Sequence, residues 1–184
     1  MGWSCSQTPP ATAGAERERT LNSIILIGMP GSGKSTVGVI LAKLLGSGFV
    51  DTDLVIQQRE GRKLHEILTG GVELLLQKEE EALLAQPGGE LVIATGGSAV
   101  LSERGMAHLK MLGRVVYLEY PLPVLARRLG DFAKRGIAAE PGTTLEEIYA
   151  VRAPLYRRYA DVTVRPEGSA DDTAQRVLRA LVER

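Results

Sequence analysis

Residues 28–36 read Gly28-Met29-Pro30-Gly31-Ser32-Gly33-Lys34-Ser35-Thr36, the spacing G-x-x-x-x-G-K-[ST]. Glycines at those places let a loop turn successive backbone N–H groups inward around a phosphate. Lys34 is then placed to reach the outer phosphates of a nucleotide, and the Ser35 hydroxyl to take one position on Mg²⁺. Gly31, Ser32, Gly33, Lys34, Ser35 and Thr36 are therefore the expected nucleotide contacts. The flanking residues agree. Ile24-Ile25-Leu26-Ile27 is a short apolar run of the kind a buried parallel strand shows, and Val37 to Leu45 reads as a helix ending near Gly46. Strand, glycine loop and helix N-terminus in that order aim the helix dipole and its free N–H groups at an anion.

Other residues could complete such a site. Asp51 and Asp53 stand two apart at the end of a short apolar segment. If the chain is still extended there, both carboxylates face one side. One could hold Mg²⁺ through water while the other takes the proton of an acceptor hydroxyl; as an alternative, the pair caps the helix beginning near Leu54, and Asp53 could do both. Thr95-Gly96-Gly97-Ser98 follows another apolar run, and adjacent glycines admit close backbone approach to a ligand or a tight turn. The stretch from Arg127 to Gly136 is basic and broken by glycines. Lys134 or Arg135 could be a cation that arrives on closure, or part of a solvated loop. Arg152, Arg157 and Arg158 share one helix, and Arg152 is the one of the three that reads as a carboxylate fork rather than surface charge. His65 and His108 have no partners at metal-ligand spacing and read as exposed helix residues.

The elements that must hold these residues alternate. Strands are expected at about 23–28, up to Asp51, at 91–94, 114–119 and 161–165. Helices are expected to about 45, over 54–59, 64–68, 72–85, 102–111, 123–129, 144–159 and 171–183, with a break at Gly61 and caps at Ser102 and Thr144. Alternation of this kind gives a parallel α/β sheet with helices on both faces, and ligands beyond the carboxyl ends of its strands. Residues 1–20 carry no apolar period and read as a tail. Basic and acidic residues balance at 22 each, so no surface field for nucleic acid or an anionic membrane is expected. No run approaches a membrane span, and Cys5, the only cysteine, fits a reducing, cytoplasmic setting.

This set of motifs resembles the shikimate kinase family, within the nucleoside-monophosphate-kinase-like P-loop fold, over residues 22–184. The resemblance rests on Gly28 to Thr36, Phe49-Val50-Asp51-Thr52-Asp53, Ala94-Thr95-Gly96-Gly97, Val115-Val116-Tyr117-Leu118-Glu119 and Arg152-Ala153-Pro154-Leu155-Tyr156. It implies a three-layer P-loop NTPase fold with a five-stranded parallel sheet, helices on both faces and a mobile lid. Residues 21–184 would form that kinase domain, with acceptor-binding helices near 53–86 and the lid near 130–142. It implies ATP and Mg²⁺ as cofactors, shikimate as the small-molecule acceptor, and a monomer.

By this resemblance Lys34 holds phosphates, Ser35 and Asp51 serve Mg²⁺, and Asp53 contacts the acceptor hydroxyl. Gly96 and Gly97 line the acceptor pocket, Arg135 is the lid arginine, Arg128 and Pro166 flank adenine, and Arg152 binds the acceptor carboxylate.

Three positions depart from the family. The second carboxylate-clamping arginine of the family falls at Leu76, while its neighbour Glu79 is kept. The third glycine after the strand is Ser98, and the lid reads Arg135-Gly136-Ile137-Ala138 in place of Arg-Pro-Leu-Leu. Lys78, Arg62 and Arg59 are the cations close enough in sequence to stand in for the missing arginine. Two further readings remain open: a kinase for a different hydroxylated acceptor, and a nucleotide-binding module without transferase activity.

Overall fold

The computed structural model describes residues 23–129 and 136–183. The expected tail, and Lys134 and Arg135 of the expected lid, lie outside the described residues.

The chain alternates as its apolar pattern requires. Elements in order are β1 (Ser23–Ile27), α1 (Lys34–Leu45), β2 (Gly48–Asp51), α2 (Thr52–Glu60), α3 (Leu64–Leu68), α4 (Val72–Leu84), β3 (Leu91–Ala94), α5 (Glu103–Leu112), β4 (Gly113–Leu118), α6 (Leu122–Leu129), α7 (Leu145–Tyr159), β5 (Val162–Val164) and α8 (Ala170–Val182). A single 3₁₀ turn, Ala99–Leu101, precedes α5 and has no counterpart in the sequence reading. All strand pairs are parallel, in the order β2-β3-β1-β4-β5, so the strand that feeds the glycine loop is central.

Period-two alternation along β1 builds the two cores. Ile25 and Ile27 face a cluster with Ile93, Val115, Tyr117, Met106 and Tyr156, under α5 and α7. Leu26 faces the other way, onto Leu41, Val116, Val162 and Val177, under α1 and α8. A third cluster sits off the sheet, built from Ile56, Ile67, Leu75 and Ala82 of α2, α3 and α4 with Ala138 from the stretch before α7.

The ends of the helices follow local chemistry. Gly46 and Gly61 close α1 and α2 at φ 66° and 62°, a region glycine enters without penalty. Ser102 Oγ accepts from the Gly105 N–H, and Thr144 forms a capping box with Glu147.

Two local expectations fail. The chain turns helical at Thr52, so Asp51 and Asp53 are not on one face of an extended strand. Asp51 is the cap, its Oδ1 accepting from Asp53 N at 3.0 Å and Leu54 N at 3.4 Å, and Asp53 lies inside the first turn. The three-residue strand β5 is also shorter than the five residues expected.

Candidate active site

The rim at the carboxyl ends of β1, β2 and β3 opens on a cavity of about 520 Å³. Its floor is the glycine loop. Gly31 and Gly33 take φ 76° and 83°, which a side chain at either place would strain. No side chain caps the N-terminus of α1, so its first N–H groups remain available to an anion. Lys34, 7 % exposed, donates through Nζ to the Gly28 and Met29 carbonyls at 2.8 and 2.9 Å. Burial brings its ammonium down to about 8, against the upward pull of Asp53 and Asp51.

Opposite Lys34 the cavity is lined by Asp53, Glu79, Gly97, Ser98 and Arg152. Asp53 arrives from α2, Glu79 from α4 and Arg152 from α7. Burial raises Asp53 to about 6, with Asp51 adding to the rise and Lys34 opposing it. Arg152 is 3 % exposed and spends Nη2 on the Ala138 carbonyl. Asp53 Oδ1, Glu79 Oε2 and Arg152 Nη1 are buried with no hydrogen-bond partner among the described residues. Buried polar atoms are nearly always satisfied, so three orphans on residues that line one cavity mark it as a place for a polar ligand.

The two glycines after β3 are required sterically. A Cβ on Gly96 would stand 2.7 Å from Asp53 Oδ1 and 3.0 Å from Glu79 Oε1; one on Gly97 would meet the Pro30 ring at 2.7 Å. The loop is held from both sides, by Gly96 N–H donating to Thr52 Oγ1 and Tyr156 O–H donating to the Gly97 carbonyl. Ser98 has φ −97°, a region open to any residue, so its departure from glycine costs the backbone nothing. Gly96→Ala is expected to push the Asp53 carboxylate aside and lower kcat roughly 10²-fold, with nucleotide affinity unchanged. Steady-state kinetics beside a nucleotide-binding titration checks this; equal losses in both would place the damage in the glycine loop instead.

Arg128 and Pro166 do not line this cavity. They meet in a neighbouring groove of about 590 Å³ with Tyr120 and Tyr149, and the Arg128 guanidinium lies 4.1 Å from the Tyr120 ring centroid. Arg157 and Arg165 both pair with Glu119 at the end of β4, which anchors the chain entering Pro166. Ser35 and Thr36 line the main cavity, whereas Asp51 does not. No group of three or more His, Cys, Asp and Glu able to hold a metal occurs among the described residues.

The stand-in cations are elsewhere. Lys78 is held by Glu60 and Glu81, each at 3.2 Å, and Arg62 donates to the Glu66 carbonyl. None of Lys78, Arg62 and Arg59 reaches the cavity. Leu76 lines a smaller adjoining cavity of about 260 Å³ that shares Glu79 and Ser98 with the main one. His65 is exposed as expected; His108 is half-buried, its Nε2 3.0 Å from the Gln86 carbonyl, because the helix turns it toward the end of α4.

Sequence reasoning left Glu79 and Tyr156 out of the candidate site. Glu79 sits in the acidic run Glu79-Glu80-Glu81, which looks like a solvated face. Helical spacing from Leu75 through Glu79 to Ala82 and Leu83 places it on the buried stripe, and that was the available signal.

Comparison with known proteins agrees with this geometry. The family model described as Shikimate kinase matches residues 30–182. The shikimate kinase of Mycobacterium avium is 41 % identical over 170 residues, covering 87 % of this chain and 91 % of its own. That of Synechococcus elongatus is 36 % identical over 164 residues, covering 86 % and 85 %. Among solved structures, the shikimate kinase from Acinetobacter baumannii in complex with shikimate superposes with a TM-score of 0.79 at 34 % identity, covering 90 % of this chain and 95 % of that one. The Aquifex aeolicus enzyme gives 0.75 at 30 %, covering 87 % and 96 %. Likeness of this depth over nearly the whole described chain removes the binding-module reading: the chain belongs to the shikimate kinase family and is a phosphotransferase acting on an alcohol.

Proposed function

We propose that this protein transfers the γ-phosphoryl group of ATP to a hydroxyl of shikimate, giving shikimate 3-phosphate for aromatic amino acid biosynthesis. The observation that carries the reading is the single cavity in which the uncapped helix and Lys34 face a buried carboxylate, Asp53, and a buried arginine with a free arm, Arg152.

Gly31 to Thr36 cradle the phosphates, and Lys34 exchanges loop carbonyls for phosphate oxygens. The Asp53 carboxylate, ionised at neutral pH, orients the acceptor hydroxyl and accepts its proton as the phosphorus–oxygen bond forms. Its unpartnered Oδ1 is the atom free to do so. Gly96 and Gly97 let the acceptor ring lie against backbone, and Arg152 Nη1 takes the acceptor carboxylate. Ser35 and, through water, Asp51 would hold Mg²⁺, which neutralises charge on the transferring group. Arg135 would add a cation on closure, and Arg128 and Pro166 would enclose adenine. We take the protein to act in the cytoplasm as a monomer; among the described residues no helix is long and apolar enough to cross a membrane.

One observation favours a second reading, a different hydroxy acid as acceptor: apart from Lys34, Arg152 is the only cation among the described residues lining the cavity. A coupled ADP-release assay separates the two. Saturable turnover with shikimate is expected; turnover with other hydroxy acids but none at saturating shikimate would replace the acceptor.

A further inference from the structure

Glu79 is the one buried ionisable group of the cavity that the mechanism above leaves without a task. It is 8 % exposed, its Oε2 has no hydrogen-bond partner among the described residues, and its Oε1 lies within 3.0 Å of where a Gly96 Cβ would stand. It therefore faces the acceptor pocket beside Asp53. The charged groups that face it are Asp53 from α2, Arg152 from α7 and Lys34 from α1; the turn after β3 offers only the Ser98 hydroxyl. None of these cations closes to an ion pair with it among the described residues, since Arg152 reaches Ala138 and Lys34 reaches the glycine loop. On its own helix, Lys78 is taken by Glu60 and Glu81, and Glu80 by Ser102 and Arg104. Leu76, one turn back on the same face, supplies no charge.

An anionic acceptor brought beside Arg152 would thus meet a second buried carboxyl. Two ionised carboxylates in one desolvated pocket repel strongly, whereas a neutral carboxylic acid donates a hydrogen bond to the other. Resting on the reading that the acceptor is a hydroxy acid, we propose that Glu79 is a specificity-determining residue that receives the acceptor as a neutral carboxylic acid and donates its proton as a hydrogen bond to the acceptor carboxylate, so that acceptor binding takes up a proton. Leu76 is what makes the arrangement workable, because an arginine there would keep Glu79 ionised.

Burial already moves the group the required way, raising it to about 7; Asp53 adds to the rise, and Ser98, Arg152 and Lys34 oppose it. The direction of the pH effect follows. Below about 7 Glu79 is neutral in the free enzyme and the acceptor KM is flat. Above it a proton must be taken up with the acceptor, and KM climbs, by about tenfold between pH 6 and pH 8.

The test is the acceptor KM from pH 6 to pH 8.5 at saturating ATP, in the wild type, Glu79→Gln and Leu76→Arg. It is paired with calorimetry of shikimate binding in two buffers of different ionisation heat. The wild type should show the rise and take up close to one proton at pH 8. Glu79→Gln, which cannot ionise, should show neither. Leu76→Arg should lose the proton uptake and show a lower KM at pH 8. Equal pH slopes in wild type and Glu79→Gln, or no proton uptake by the wild type, overturns the proposal while leaving the kinase reading intact. Absence of turnover and of shikimate binding at every pH removes both. Should Glu79→Gln fail to fold, Leu76→Arg and the wild-type proton count decide between the same outcomes.

Discussion

Arg152→Ala raises the KM for the acceptor roughly 10²- to 10³-fold and leaves the KM for ATP within about twofold. Arg152 is 3 % exposed, and the two arms of its guanidinium do different things. Nη2 ties the Ala138 carbonyl, while Nη1 is buried without a hydrogen-bond partner among the described residues, on a side chain that lines the cavity. An acceptor carboxylate landing there gains a charge-assisted hydrogen bond in a place where water competes weakly. Truncation leaves that carboxylate desolvated with Glu79 and Asp53 for company and no nearby cation but Lys34. Arg152→Lys keeps the charge but cannot reach Ala138 and the acceptor together, so it should recover only part of the loss. Steady-state kinetics with each substrate varied in turn is the measurement. An unchanged acceptor KM in a folded Arg152→Ala protein would move the carboxylate site elsewhere.

Lys34→Ala has its effect on the other axis. Turnover at saturating substrates should fall roughly 10²- to 10³-fold, the loss expected when a positioned donor to developing phosphate charge is removed. Lys34 ties the loop to itself through the Gly28 and Met29 carbonyls, and burial disfavours its charge. A phosphate relieves both conditions, which makes nucleotide a stabiliser of this loop. Thermal melting with and without ATP should accordingly show a large upward shift for the wild type and a much smaller one for Lys34→Ala. Comparable shifts would mean that the N–H groups of α1 carry the phosphates almost alone.

The donor half of the site was legible because a phosphate loop depends on backbone conformation, and glycine spacing records backbone conformation directly. The element order was legible for the same reason: apolar periods and caps such as Ser102 and Thr144 are local signals. Asp51 and Asp53 were found as a pair, but their local geometry was not, since it turns on the helix beginning at Thr52 rather than two residues later. Arg152 could be preferred over Arg157 and Arg158, yet its depth comes from packing against residues far along the chain. Glu79 was noted as the kept neighbour of Leu76, but its place in the cavity was not read, because composition cannot tell one glutamate of three from its neighbours, whereas the fold buries it alone and turns Glu80 and Glu81 toward Arg104 and Lys78.

The third apolar cluster has a bearing on how such a protein changes over generations. Leu75, Ile56, Ile67 and Ala82 pack among themselves off the sheet, apart from the two clusters that hold the strands. Substitutions at Leu74, Leu75 and Leu76 are thus absorbed within this small local core, whereas Leu83, near the end of α4, packs in the cluster under β1. Such a unit opens at lower free energy than the sheet, and its amides should exchange with solvent as a group before those of β1 and β4. The acceptor side of the site therefore draws on both parts, Asp53 and Glu79 from helices of the local core and Arg152 from a helix seated on the sheet, and its closing geometry depends on how firmly the local core is held.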